Sequence, residues 1–120
     1  MIIVKEVKRL FVVDKYTKNI LLTRGDSAEL VVSLADSLGI PYEMGSNDTL
    51  VFSMVNEIGD KDVLLRKEIK DSNVFKFIPD DTNELPFGKY FYDIQLTTAD
   101  GEVYTVVSPS GFVVGEEVTA

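Results

Sequence analysis

The run Pro86-Phe-Gly-Lys-Tyr-Phe-Tyr-Asp-Ile-Gln-Leu-Thr-Thr-Ala-Asp-Gly-Glu-Val-Tyr-Thr-Val-Val-Ser108 constrains the fold more than any other part of the chain, because it reads as two alternating strands joined at Asp100-Gly101. Asp and Gly tolerate the positive φ that a two-residue hairpin loop demands at both positions, so Ala99 is expected opposite Glu102. Counting outward sets Thr98 against Val103, Leu96 against Thr105 and Ile94 against Val107 on one face. Thr97 with Tyr104 and Gln95 with Val106 take the other. The first face, with Ile94, Leu96, Val103 and Val107, is the more apolar and is expected to be core. The reverse face, with Phe91, Gln95, Tyr104 and Val106, is the first candidate interface.

The same period of two recurs upstream. Ala28, Leu30, Val32 and Leu34 alternate with Glu29, Val31 and Ser33, and Leu50, Phe52 and Met54 share one face of a strand from Leu50 to Val55. Val63, Leu65 and Ile69 share a face with Lys67 among them, and further strands are expected at Ile20 to Thr23, Val74 to Ile78 and Phe112 to Val114. Turns fall at 24–27, 36–41, Gly45-Ser46-Asn47-Asp48, Gly59-Asp60-Lys61-Asp62 and Asp71-Ser72-Asn73. Regular spacing of short strands and turns predicts an antiparallel β-sandwich. Between Pro79 and Pro86 the chain predicts one short helical turn near 80–85, capped by Asp80.

The first residues are ambiguous. Ile3, Val7, Leu10 and Phe11 fit helical spacing, whereas Ile2-Ile3-Val4 and Leu10-Phe11-Val12-Val13 are rich in β-branched residues, which favours two short strands. Leu10, Phe11, Val12 and Val13 join the candidate interface, since an extra strand can complete or exchange a sheet edge. One domain over 1–120 is expected, with 1–19 as additional strands or an arm and 116–120 as a flexible tail.

Charge and composition narrow the functions. The chain carries a net charge of −8, which opposes binding to a phosphate backbone. Residues 1–24 hold six basic and two acidic side chains, so they contribute +4 and the rest −12. There is no cysteine and no histidine, which removes disulfides, thiolate metal sites and imidazole-based catalysis. No apolar run is long enough to span a bilayer, and the expected location is the cytoplasm of the cell that makes it.

Individual motifs have structural explanations. Arg24-Gly25-Asp26 matches the tripeptide of integrin ligands, yet Gly25 also suits a tight turn before a strand. Asp60 with Asp62, Asp80-Asp81 with Glu84, and Glu116-Glu117 offer oxygen ligands without the loop spacing of a calcium site. The same carboxylates sit on hydrophilic turns that would leave their pKa values ordinary. The aromatic residues Phe75, Phe77, Phe87, Tyr90, Phe91, Tyr92 and Tyr104 suggest core and edge packing before a stacking platform. No catalytic, cofactor-binding or metal-binding residue is assigned.

Two segments resemble immunoglobulin-like domains. Gly25, a polar pair, then Leu30 and Val32 resemble the turn between strands A and B, and Gly88-Lys89-Tyr90-Phe91-Tyr92 resembles the tyrosine corner at the start of strand F. That resemblance implies an immunoglobulin-like sandwich of about seven to nine strands, with Tyr90 as the corner residue, Tyr92 and Val32 at the positions of the inter-sheet disulfide, and Phe52 in place of the strand C tryptophan.

The longer string Leu22 to Ser27, Gly39-Ile40-Pro41-Tyr42, Asp48 to Ser53, Leu85 to Tyr90 and Tyr92-Asp93-Ile94 resembles the small β-sandwich modules of phages and prophages of Gram-positive bacteria, similar to the N-terminal domain of the baseplate upper protein. The resemblance implies a non-enzymatic virion, baseplate or accessory protein that acts through contacts with its own copies or with other phage structural proteins, without nucleic acid or membrane. An acidic inhibitor of a host protein and a carbohydrate-binding module are the alternatives.

Overall fold

A computed structural model describes the backbone of Ile3–Glu6 and Val12–Val13 together with residues 18–35 and 40–116. The strands are β1 (Ile3–Glu6), β2 (Val12–Val13), β3 (Ile20–Thr23), β4 (Ala28–Val31), β5 (Ser33–Ala35), β6 (Pro41–Tyr42), β7 (Thr49–Val55), β8 (Leu65–Lys70), β9 (Val74–Phe77), β10 (Gly88–Thr97) and β11 (Val103–Gly115), with α1 (Pro79–Thr82) between β9 and β10. The fold is an all-β sandwich. One layer is a six-stranded sheet in the order β2-β3-β11-β10-β7-β8; the β4-β9 pair and the β1-β5-β6 sheet form the other strands.

Eleven strands are described where seven to nine are expected, because the Ala28 to Leu34 run divides and Pro41–Tyr42 adds a short strand. Its alternation survives the division: Ala28, Leu30, Val32 and Leu34 are all buried. At Val32 the chain changes partners. The Val32 amide donates to the Asn73 carbonyl at 2.8 Å and the Asn73 side chain donates back to the Val32 carbonyl at 3.2 Å, so β4 pairs with β9 while β5 pairs with β1 and β6. The sandwich is also not wholly antiparallel, since β3 runs parallel to β11 from Ile20 against Phe112 to Thr23 against Gly115.

The layers meet through aromatic rings. Phe52 of β7 stacks on Tyr92 of β10 with centroids 5.2 Å apart and meets the edge of Phe77 of β9, also at 5.2 Å. Phe75 and Phe112 complete the cluster, and all five rings are buried. Edge-to-face and stacked pairs of this kind add about 0.5–1.5 kcal/mol each beyond area burial. Tyr92 remains satisfied at depth because its hydroxyl donates to the Lys18 carbonyl at 2.5 Å, and burial pushes its phenol pKa up. Tyr90 makes the expected corner: its hydroxyl donates to the Pro86 carbonyl at 2.6 Å, four residues back.

The hairpin differs from the sequence reading in register. Thr97 faces Val103, Leu96 faces Tyr104 and Gln95 faces Thr105, one residue off the expected ladder, whereas Ile94 against Val107 agrees with it. The loop is one residue longer than expected. The Thr98 amide donates to the Glu102 carbonyl at 2.8 Å and the Gly101 amide to the Thr98 carbonyl at 2.9 Å, so Ala99, Asp100 and Gly101 form the turn. Only Gly101 takes positive φ there, at 84°, the pattern of a three-residue loop closed by a glycine bulge. The extra residue is absorbed at Val106, where β11 bulges and turns both Val106 and Val107 inward. A second shift near Pro109 suits a residue with no amide to donate.

Three smaller expectations are corrected. Phe112 to Val114 is the end of the continuous 13-residue β11 rather than a separate strand. Val63 is 49% exposed and precedes β8, which begins at Leu65. Asp80 does not cap α1; the Asp81 carboxylate accepts the Ile78 amide at 2.8 Å and also pairs with Lys67 at 2.9 Å. Lys67 thus points inward from β8, at the edge of the six-stranded sheet, with its charge matched, a device that discourages strands from adding there.

Candidate interaction surface

Strand parity places Phe91, Asp93, Gln95 and Thr97 of β10 on the face of the six-stranded sheet turned away from the core, since Tyr90, Tyr92, Ile94 and Leu96 are buried between them. Two of the candidate interface residues, Phe91 and Gln95, therefore lie where the sequence reading put them. Tyr104 and Val106 do not. Val106 is buried, and Tyr104 packs against the core with its hydroxyl on the Glu102 carboxylate, which raises the phenol pKa. The longer loop and the Val106 bulge each reverse the inside-outside phase, so parity counted from a two-residue loop fails between them. Val103, expected in the core, is 57% exposed for the same reason. Val12 and Val13 form β2, which pairs with β3 at the edge of the sheet. Leu10 and Phe11 lie outside the described residues.

Around Phe91 the outer face is concave. Val55, Ile58, Phe91, Asp93 and Pro109 line a cavity of about 160 Å³, with Ser53 opposite Asp93 in the β7-β10 ladder. Ile58 is held out at 62% exposure by the turn in which the Asp60 amide donates to the Glu57 carbonyl. Lys89 rests over the Phe91 ring, its ammonium 5.4 Å from the centroid. The Asp93 carboxylate has no hydrogen-bond or ion-pair partner among the described residues, and partial burial raises its pKa. Alternation from Phe91 identifies Asp93 as outward facing. Ile58 was legible only as an apolar residue in the polar turn Asn56-Glu57-Ile58-Gly59.

The most constrained carboxylate elsewhere is Asp48, which is buried. One oxygen, Oδ2, accepts the Tyr42 hydroxyl at 2.6 Å and the Gly45 amide at 2.9 Å; Oδ1 accepts the Ala99 amide at 3.1 Å. The Tyr42 bond chiefly holds the carboxyl pKa low, and the same bond pushes Tyr42 up to about 12. All three of these hydrogen bonds serve the fold. Asp48 ties the turn before β7 to the tip of the β10-β11 hairpin and is a structural group.

Arg24 and Gly25 of the Arg24-Gly25-Asp26 turn are likewise built into the sandwich, while Asp26 is exposed. The Arg24 guanidinium lies 4.0 Å from the centre of the Phe87 ring, and the Gly25 amide, at φ 83°, donates to the buried Thr82 hydroxyl at 2.8 Å. Phe75, Phe77, Tyr90 and Tyr92 are core residues, which leaves Phe87 exposed and Phe91 and Tyr104 half-buried among the aromatic set, with Tyr104 packed on the core side. Among the described residues no three acidic side chains converge as a metal site, and no helix is long and apolar enough to cross a membrane. No protein-family model matches the chain, and no curated protein matches it.

Proposed function

We propose that this chain is a non-enzymatic structural or accessory module, of the kind found in phage virions and baseplates, that works through protein-protein contacts made by the outer face of its six-stranded sheet. The observation that carries this reading is the apolar concavity at Phe91, Ile58 and Pro109, formed by the outer face of the sheet and the turn after β7, where a partner gains buried apolar area. The resemblance of the string of turn and core segments from Leu22 to Ile94 to phage sandwich modules supplies the biological setting. A tagged chain expressed in a bacterial culture that carries the gene and produces particles tests it by density-gradient sedimentation. The wild type is expected with the particles, and Phe91→Glu is expected in the free-protein fractions. A wild type found only as free protein, or a Phe91→Glu chain that still sediments with particles, overturns the assignment.

A further inference from the structure

We propose that the cavity beside Phe91 receives a lysine or arginine side chain of the partner protein, with Asp93 as its counter-charge. This deepens the contact reading above and rests on it, because the pocket specifies what the partner must present. The cavity, at about 160 Å³, is the size that admits a single small group. Its walls of Val55, Ile58, Phe91 and Pro109 suit an aliphatic stem, which lysine and arginine bury along apolar surface while placing the charge beyond it.

The charge pattern selects a cation. Asp93 lines the cavity half-buried, and its carboxylate has no partner among the described residues, so no contact within those residues offsets its partial desolvation. Asp60 adds a second carboxylate to the rim, where one of its oxygens accepts the Glu57 amide at 3.1 Å. The nearby cation, Lys89, is engaged over the Phe91 ring and makes no ion pair with Asp93. An incoming ammonium or guanidinium supplies the hydrogen bonds that Asp93 lacks, whereas an acidic side chain would meet like charge and a purely apolar one would leave the carboxylate buried unpaired.

The probe is n-butylammonium chloride, with n-butanol as the neutral analogue of matched stem, titrated against the folded chain while the NMR signals of Ile58, Val55 and Asp93 are followed. Butylammonium is expected to shift these signals saturably and to bind about tenfold more tightly than butanol, the ratio for one charge-assisted contact. In Asp93→Asn and Asp93→Ser that preference is expected to vanish while the shifts of distant core residues stay in place. Equal binding of the two probes to the wild type, or a preference that survives in both variants, overturns the proposal. Failure here leaves the particle experiment untouched, and a chain that binds butylammonium at Asp93 yet never joins particles removes the contact reading alone.

Discussion

Replacing Asp48 tests whether a single carboxylate holds the open end of the sandwich together. Asp48→Ala removes three hydrogen bonds, from the Tyr42 hydroxyl at 2.6 Å, the Gly45 amide at 2.9 Å and the Ala99 amide at 3.1 Å. Bonds to a charged group contribute about 1.5–3 kcal/mol each, so their simple sum sets an upper bound of roughly 5–9 kcal/mol. Gly45 and Ala99 are exposed and regain water once the carboxylate is gone, which lowers the expected loss to about 3–4 kcal/mol. Asp48→Asn keeps one acceptor but sets an amide N–H against a donor, for about 1.5–3 kcal/mol. Guanidinium unfolding at neutral pH measures both. The pH dependence has a definite sign: folding lowers the Asp48 pKa below its ordinary 3.8, so its stabilisation is complete above that value and is lost as pH falls through the lower folded value. Asp48→Asn should flatten that acid limb. A loss under about 0.5 kcal/mol in Asp48→Ala, with an unchanged acid limb, would refute the argument.

Tyr90→Phe removes the corner bond to Pro86 while keeping the ring, and thermal unfolding should show a loss of about 1 kcal/mol. Gly101→Ala forces a side chain into φ 84° and should destabilise by about 1–2 kcal/mol in denaturant titrations, whereas Asp100→Ala, at a position without positive φ, should change stability much less. Equal effects at both positions would restore the two-residue loop. Asp93 titrates in the opposite sense to Asp48: folding raises its pKa, so the folded state is penalised where the group is ionised, and Asp93→Asn should raise the unfolding midpoint at neutral pH and lose that advantage as pH falls into the carboxylate range.

What the sequence reveals depends on how far apart the interacting residues lie. Leu50, Phe52 and Met54 announce their burial through a period of two that needs no partner, and Gly88 followed by Tyr90 marks a corner whose bond spans only four residues. Asp48 carries no comparable mark. Gly45-Ser46-Asn47-Asp48 reads as a turn, and the Gly45 amide bond is local, but the bond to Ala99 spans 51 residues and follows only from the packing of the hairpin tip. Val32 is a similar case: Ala28 to Leu34 alternates without interruption, so only the bond from its amide to Asn73 shows that the strand leaves one sheet for another.

The hairpin shows why only half of its candidate interface residues lie on the outer face expected of them. Thr98-Ala99-Asp100-Gly101-Glu102 supports either loop length, and the choice falls on three residues, with the Glu102 amide donating to the Thr98 hydroxyl at 3.2 Å across the loop. A one-residue shift would then expose every core position of β11, were it not for Val106 and Val107, two adjacent valines that both turn inward at the bulge and restore the phase. Consecutive apolar residues satisfy either register, so alternation carries no information at that point. Tyr104 lies between the two phase changes and joins the core, whereas Phe91 and Gln95 belong to β10, whose alternation has no bulge and is fixed by its ladder with β7. Parity is therefore a reliable guide to the outer face on β10 and not on β11. The proposed contact surface accordingly rests on the β10 side, at Phe91 and Asp93, where Ile58 and Pro109 close the cavity.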